Sequence, residues 1–264
     1  MDSHSMNKLE QFLESTGLEF SAIRSEEAPD PKQTLGFFLA PQEGLTKVYS
    51  ELLRKFPETS WWPLQTEGLN GDLHRPWLEN ELFEPTGDIG SARDFFTRAI
   101  DALRSSNDED DDTKEVFAKL NIPSVTPELK DDILNNLDTK DSVPPSKPQW
   151  ELNDGHAVVV LPVERPADAP ALLGWDGAVN YGFSGGDISA VLRSWEDRFG
   201  AVLGILNFAD LTVVRPQHTL SLHKSRLIAL EHYLFCPDNI EQSGEDFFAY
   251  FPTVQDTTWS FWWD

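Results

Sequence analysis

One stretch of the sequence concentrates charged side chains that could bind a ligand or a partner. Arg193, Glu196, Asp197 and Arg198 lie close together in it. Arg193 and Asp197 are four positions apart, so a helix would place them on one face, where an ion pair contributes a few tenths of a kcal/mol. Such a polar face could bind a protein partner or a carboxylate-bearing ligand. The alternative interpretation is a solvated, salt-bridged helix surface.

A second cluster combines residue types used in nucleophilic and metal chemistry: Glu231, His232 and Cys236. A reactive thiolate needs a nearby base or a helix N-terminus. Cys236 is instead expected at the C-terminal end of a helix, where the macrodipole disfavours negative charge. We therefore expect it to be a small buried hydrophobic residue. A zinc site would need further ligands, the nearest being His218 and His223, and we predict neither a metal nor a cofactor.

A third candidate lies where Trp175, Asp176 and Asn180 precede a glycine-rich loop at residues 184–187. A loop of this kind that enters a helix can hold an anion on backbone N–H groups. However, the P-loop lysine, the G-x-G-x-x-G pattern and the G-x-S-x-G elbow do not occur here. Asp187 as the N-cap would satisfy the same N–H groups. The pattern therefore favours an ordinary tight connection.

The final residues of the sequence are unusually aromatic. They include Trp259, Phe261, Trp262 and Trp263, and no Lys or Arg follows Arg226. An apolar segment of this kind should dock, either on its own domain or on another chain. We expect it to dock on its own domain. The alternative is an interface whose aromatic anchors lie in a negative field and suit a basic partner.

The spacing of apolar residues predicts the elements that position these side chains. Helices are expected near residues 7–15, 41–55, 87–103, 113–120, 127–137, 167–173, 187–199 and 221–235. Strands are expected near 34–40, 156–163, 201–208 and 211–214, with an extended segment at 61–64. The C-terminal order β, α, α, β, β, α predicts an α+β fold. Its sheet should have about four strands, antiparallel or mixed, with helices packed on one face.

Proline and charge patterns predict the domain organisation. Residues 142–149 contain three prolines and are interpreted as a linker. They would separate a smaller α/β region with an acidic helical segment, residues 6–141, from a C-terminal domain, residues 150–264. Residues 1–5 are interpreted as a cloning remnant before a native start at Met6. We identify no secretion signal.

Four segments of the C-terminal part form a distinctive set. They are residues 174–177 with Asn180, residues 191–200, residues 231–240 with Asp238 and Asn239, and residues 261–264. In content and order these signature segments resemble the bacterial domain of unknown function 4253, over about residues 158–264. Residues 61–64 and 75–77 resemble the more variable N-terminal half of such proteins. Residues 201–208 depart from the pattern, because relatives tend to have a Gly-rich run with Asp there. The resemblance implies no reaction, cofactor or catalytic residue.

Charge and composition exclude several classes of partner. Forty-five acids against 21 bases give a net charge of −24. Proteins that bind nucleic acid use Lys and Arg to neutralise phosphates, so we expect no nucleic acid and no anionic membrane as partners. No apolar run approaches the ~20 residues that a membrane-spanning helix needs. A basic protein would be attracted and would associate faster. With a single cysteine no internal disulfide can form, which is typical of a cytoplasmic protein.

Three functional hypotheses follow. The first is an acidic cytoplasmic protein-binding module of the immunity type, which neutralises a basic partner. The second is an enzyme of unrecognised class with a polar cleft around Asp176, Asn180, Arg193 and His232. The third is a structural domain of a larger assembly. The lack of a catalytic motif favours the first, and the oligomeric state is left open. The candidate binding residues are Trp175, Asp176, Asn180, Arg193, Glu196, Arg198, Glu231, His232, Asp238, Asn239, Trp262 and Trp263.

Overall fold

The computed structural model describes residues 3–24, 33–109, 111–139 and 150–264. The linker predicted at residues 142–149 lies outside these ranges. Within them, no helix combines the length and the apolar character that crossing a membrane requires.

Upstream of the predicted linker, helices and strands alternate before three helices follow one another. The elements are α1 (Ser3–Thr16), β1 (Ser21–Arg24), β2 (Thr34–Leu39), α2 (Leu45–Thr59), β3 (Trp61–Thr66), α3 (Ala92–Glu109), α4 (Asp111–Lys119) and α5 (Pro127–Asn136). The predicted elements are found within a few residues of their expected bounds. Helices α2 and α3 begin later than expected and α1 begins earlier. Helix α2 contains Pro57 in its last turn. Strand β1 is not predicted, because four residues carry too little pattern.

Downstream, β4 (Ala157–Pro162) enters the centre of the sheet. It is followed by α6 (Ala169–Leu173), α7 (Gly185–Phe199), β5 (Val202–Leu206), β6 (Asp210–Val214), α8 (Leu222–Phe235), α9 (Asp238–Glu241), α10 (Phe247–Tyr250) and β7 (Thr258–Trp262). Short 3-10 turns occur at Pro166–Asp168, Val179–Tyr181 and Phe251–Gln255. The α+β class is confirmed.

The strands form one seven-stranded sheet in the order β1-β2-β4-β3-β5-β6-β7. The expected number of about four strands was wrong, because strands from the N-terminal part join the same sheet. The sheet is mixed: β3 pairs in parallel with β5, and the other neighbours are antiparallel. Strand β4 pairs with β2 and β3, so β3 lies between β4 and the remaining C-terminal strands. Residues 157–264 therefore do not form a continuous sheet by themselves.

Helices cover both faces of the sheet over its N-terminal strands. Val158 and Val160 of β4 share one core with residues of α1 and α2. Val159 and Leu161, which point to the opposite face, share the other core with residues of α3, α5, α7 and α8. The expectation of helices on one face was wrong here, because β4 is an uninterrupted apolar run, as is typical of a strand buried on both sides.

Over β6 and β7, by contrast, helices cover one face. Leu211 and Phe261, which are paired across these strands, are buried. On the opposite face Thr212 is partly exposed, and Ser260 and Trp262 are exposed. We call this second surface the open sheet face. The aromatic segment at the end of the sequence therefore docks on its own fold, as the edge strand β7 with alternate residues buried.

Helix α7 carries several candidate residues, and its ends are fixed by side-chain and glycine caps. Ser184 Oγ accepts a hydrogen bond from the Asp187 backbone N–H at 3.2 Å, and the Asp187 carboxylate accepts one from the Ser184 N–H at 3.1 Å. Ser184 is thus the N-cap of a capping box, and the expectation that Asp187 caps the helix was wrong by three positions. Gly200 ends the helix with φ of 65°, as predicted.

Candidate functional site

Arg198 and Glu231 form a buried ion pair. Arg198 Nη1 and Nη2 donate to the two carboxylate oxygens of Glu231 at 2.8 Å each, and neither side chain is more than 2% exposed. Trp195 Nε1 and Asn136 Nδ2 donate to the same carboxylate at 3.0 and 2.9 Å. These four bonds compensate the cost of removing two charges from water. The pair fixes the packing of α5, α7 and α8.

His232 lies beside this pair in an aromatic enclosure. Its Nδ1 is 3.0 Å from the Tyr250 hydroxyl, and its ring packs edge-on against Trp259 at 4.6 Å between centroids. Burial, helped by the positive charges of Arg215 and Arg198, lowers the pKa of His232 to about 3. The imidazole is therefore neutral at physiological pH. Since it is 1% exposed, it is inaccessible to a substrate in this conformation.

The side chains around residue 236 bond to the outer edge of strand β7. Asn239 Nδ2 donates to the Ser260 carbonyl at 2.7 Å, and its Oδ1 accepts from the Trp262 N–H at 3.3 Å. Cys236 Sγ donates to the Trp262 carbonyl at 2.9 Å. Unpaired backbone groups on an edge strand are a template for pairing with other chains. Here side chains take the place of a neighbouring strand. Burial raises the pKa of the Cys236 thiol to about 12, so the thiol remains protonated.

Asp238 and Asn180 bond to the last residue of the sequence. The Asp238 carboxylate accepts hydrogen bonds from the Tyr181 hydroxyl and Gln242 Nε2, both at 2.6 Å, and from the Asp264 N–H at 3.0 Å. Asn180 Nδ2 donates to the Asp264 carbonyl at 2.8 Å. Burial, followed by the interaction with Asp238, raises the pKa of the Tyr181 hydroxyl. Two of the predicted binding residues thus hold the chain that follows β7.

Two tryptophans complete the attachment of this segment. Trp175 Nε1 donates to the Asn207 carbonyl at 2.7 Å, and its ring centroid lies 5.7 Å from that of Trp263. Trp263 Nε1 donates to the Phe235 carbonyl at 3.2 Å. At Gly177 a side chain would overlap the Trp175 ring, which explains the glycine in this segment. Among the aromatic candidates, Trp262 alone is exposed, to 40%.

Arg193 and Glu196 lie on the outer side of α7, in ion pairs that differ from those expected. Arg193 Nε donates to Asp168 at 2.6 Å. Arg165 donates to Glu196 at 3.0 Å and to Asp197 at 2.8 Å. The predicted pair between Arg193 and Asp197 does not form, because the segment just before α6 supplies other partners for both side chains. Burial raises the pKa of the Glu196 carboxyl despite its bond to Arg165.

The four residues of the predicted enzymatic cleft are dispersed. His232 is enclosed, Asn180 bonds to the last residue, and Arg193 lies on the outer side of α7. Asp176 is partly buried, and desolvation raises the pKa of its carboxyl. Of the four cavities identified among the described residues, none is lined by more than one of these side chains. The described part of the chain also contains no group of three His, Cys, Asp or Glu residues arranged to hold a metal.

The largest of the four cavities, which we call the apolar cavity, was not predicted. It has a volume of about 620 Å³ and lies between α3, α4 and α8. Its lining is Phe95, Arg98, Ala99, Ala102, Leu103, Val116, Phe117, Tyr181, Gly182, Phe183, Tyr233, Leu234, Pro237 and Glu241. The Tyr233 hydroxyl donates to Glu241 at 2.6 Å, and Arg98 pairs with Asp187. Volume and lining are typical of a site that binds an apolar group.

A comparison with protein families gives a match over the part of the chain that contains the signature segments. Residues 157–264 match the family described as Domain of unknown function (DUF4253). Over these residues the chain is similar to the DUF4253 family. The match begins at the first residue of β4. Since β1, β2 and β3 belong to the same sheet, the matched region shares its sheet with strands that lie earlier in this chain. No curated protein and no solved structure matches the chain.

Proposed function

We propose that this protein is a binding module for a basic protein partner and that it neutralises this partner in the manner of an immunity protein. The proposal starts from which side chains are accessible. Glu231, His232 and Asp238 are at most 1% exposed and bond within the fold. These buried polar residues of the DUF4253 signature segments therefore serve to hold the fold together. What is presented to a partner is the apolar cavity and the acidic surface.

The observation that carries the proposal is the open apolar cavity in a strongly acidic chain. Its walls come from α3, α4 and α8, and Val116 on α4 is 41% exposed. Apolar side chains left accessible beside a cavity of this size mark interaction sites in soluble proteins. A groove lined by helices suits an amphipathic helix, which inserts apolar residues spaced three or four positions apart.

The negative charge of the chain indicates which kind of partner helix would bind. The chain has a net charge of −24. Glu241 lines the apolar cavity, and the exposed Glu115 precedes Val116 on α4. Arg98, which also lines it, is neutralised by Asp187. In sequence, residues 108–112 between the cavity-lining parts of α3 and α4 are all acidic. A partner helix with an apolar stripe and flanking Lys or Arg would complement both features.

The test uses a synthetic probe helix of leucine and lysine in helical spacing and a scrambled peptide of the same composition. We expect fluorescence anisotropy to show saturable binding of the first and weaker, strongly salt-dependent binding of the second. Ala102→Trp would fill the cavity from an exposed position of α3 and should weaken binding by about tenfold or more, ~1.4 kcal/mol. Ala118→Trp is the matched control, because Ala118 is exposed on α4 and does not line the cavity.

Two results would contradict the proposal. Equal affinity for the helical and scrambled peptides would mean that charge alone drives association, without a groove. Equal losses in the Ala102 and Ala118 variants would mean that the cavity is not the binding site.

A further inference from the structure

A second cavity, which we call the arginine cavity, brings several arginines together in a strongly acidic chain. It has a volume of about 430 Å³ and lies between the start of α3, the end of α5 and α7. Arg93, Arg165, Arg193 and Arg198 all line it. The sequence contains 11 arginines, so more than a third of them meet at one cavity. Asp138 and Asp197 also line it, and Asp168, Glu196 and Glu231 pair with three of the arginines. The arginine N–H groups that these carboxylates leave unused are therefore what a bound anion would contact.

The arginines are only partly engaged by protein acceptors. Arg193 donates to Asp168 through Nε, and its two Nη groups have no hydrogen-bond partner within the described ranges. The side chain of Arg198 is 2% exposed, and its buried Nε also has no hydrogen-bond partner there. Unused guanidinium N–H groups are suited to carboxylate and phosphate oxygens, which they bind in a planar fork.

Two other ion pairs at this cavity have exposed aspartates and can be exchanged, whereas Arg165 Nε is also held by the less exposed Glu196 at 3.0 Å. Arg93 Nη2 bonds to Asp138 at 2.7 Å, and Arg165 Nη2 bonds to Asp197 at 2.8 Å. The two aspartate side chains are 74% and 56% exposed. Ion pairs this exposed contribute at most about 1 kcal/mol. A ligand oxygen can therefore replace either aspartate at little cost.

Backbone donors are available at the same place. Residues 90–92, which precede and begin α3, line the arginine cavity. Helix α3 runs from Ala92 to Glu109, and the N–H groups of its first turn lack acceptors within the helix. Ser91 Oγ accepts from the Asp94 N–H at 3.0 Å, which satisfies one of them. The positive end of this helix dipole adds to the field of the arginines.

We propose that the arginine cavity binds a small organic or inorganic anion that carries carboxylate or phosphate groups. Arg193 and Arg93 contact the ligand directly. Arg165 keeps its Nε bond to Glu196 and exchanges its Nη2 bond to Asp197 for one to the ligand. The site is separate from the apolar cavity: the two have no lining residue in common. It is therefore independent of the proposed binding of a basic protein.

The experiment is isothermal titration calorimetry of the full chain with citrate and with inorganic phosphate, at an ionic strength held constant with sodium chloride. We expect saturable binding of one anion per chain. Arg193→Gln and Arg93→Gln should each raise Kd by about tenfold or more, because each removes a charge-assisted hydrogen bond. Arg98→Gln is the matched control: Arg98 is also an aspartate-paired arginine of α3, but it lines the apolar cavity.

The expected control result is a Kd within about twofold of the parent protein, since Arg98 does not line the arginine cavity and salt screens charges that are not in contact. The absence of saturable binding for both probes would overturn the proposal. So would equal losses in the Arg98 and Arg193 variants, which would indicate only a diffuse effect of charge. Arg193→Lys keeps the charge and removes the planar fork, so it should give an intermediate Kd while circular dichroism shows an unchanged fold.

Discussion

Replacing Glu231 by Gln tests most sharply whether the buried polar residues of the DUF4253-like region are structural. Glu231 accepts four hydrogen bonds from three side chains and is 0% exposed. Glutamine keeps the volume but leaves Arg198 as an uncompensated buried charge, and it turns an acceptor oxygen into a donor. Breaking a buried pair in this way costs about 3–5 kcal/mol. Since domains are stable by only about 5–15 kcal/mol, the variant should lose a large part of its stability.

The measurement is urea denaturation of Glu231→Gln and the parent protein, followed by tryptophan fluorescence. The control is Asp138→Asn, which removes an ion pair to Arg93 whose aspartate is 74% exposed. The control should lose at most about 1 kcal/mol. A loss below about 1 kcal/mol for Glu231→Gln, or equal losses in the two variants, would refute the conclusion that this pair holds α5, α7 and α8 together.

Three further predictions follow from the same contacts. Asn239→Ala should free two backbone groups of β7, destabilise the protein by about 1–3 kcal/mol, and speed hydrogen exchange in residues 258–262 first; unchanged exchange there would contradict the edge contact. The pKa of His232 is lowered from 6.5 to about 3, so below about pH 6.5 the unfolded chain binds a proton that the folded protein does not. The contribution of neutral His232 to the free energy of unfolding is therefore full above about pH 6.5 and is lost as the pH falls towards 3. Between about pH 6 and pH 4 the free energy of unfolding of the parent should fall by ~1.4 kcal/mol per pH unit more than that of His232→Gln. Parallel curves of unfolding free energy against pH for the two proteins would contradict this prediction. Residues 150–264 expressed alone lack β3, which separates β4 from β5, so we expect them to give no cooperative unfolding transition until residues 1–149 are co-expressed; a folded fragment would contradict this.

Local signals predicted most of the individual elements. The Gly200 C-cap and the apolar stripe of α7, and the β-branched run of β4, are short-range patterns that the tertiary fold leaves unchanged. Strand β7 also had such a signal: Trp259, Phe261 and Trp263 alternate with polar or exposed positions, which is the period of a strand. The clustering of aromatic residues suggested docking, but the alternation also indicated how the segment docks.

The arrangement of these elements was not accessible from local patterns. Strand β3 lies between β4 and β5, although it precedes both by many residues, because pairing partners in a sheet are chosen by packing across the whole chain. The apolar cavity likewise depends on how α3, α4 and α8 meet. Its residues Leu103, Val116 and Leu234 belong to separate helical stripes, each of which resembles an ordinary core-facing pattern.

For the candidate residues, the sequence located a meaningful set but could not indicate its role. Asp238 and Asn239 are residue types used in binding sites, yet here their side chains bond to the backbone of the final segment. Whether a polar side chain faces a ligand or another part of the same chain depends on orientation, which spacing alone does not determine. The exposed Trp262 remains a candidate for contact on the open sheet face.

The most direct test of the proposed function is to map the leucine–lysine probe helix on the ¹⁵N-labelled protein by NMR. The account predicts chemical-shift changes concentrated at the walls of the apolar cavity, in residues 95–103, 116–117 and 233–241. Changes concentrated instead at Thr212, Ser260 and Trp262 on the open sheet face, or spread evenly over the acidic surface, would contradict it.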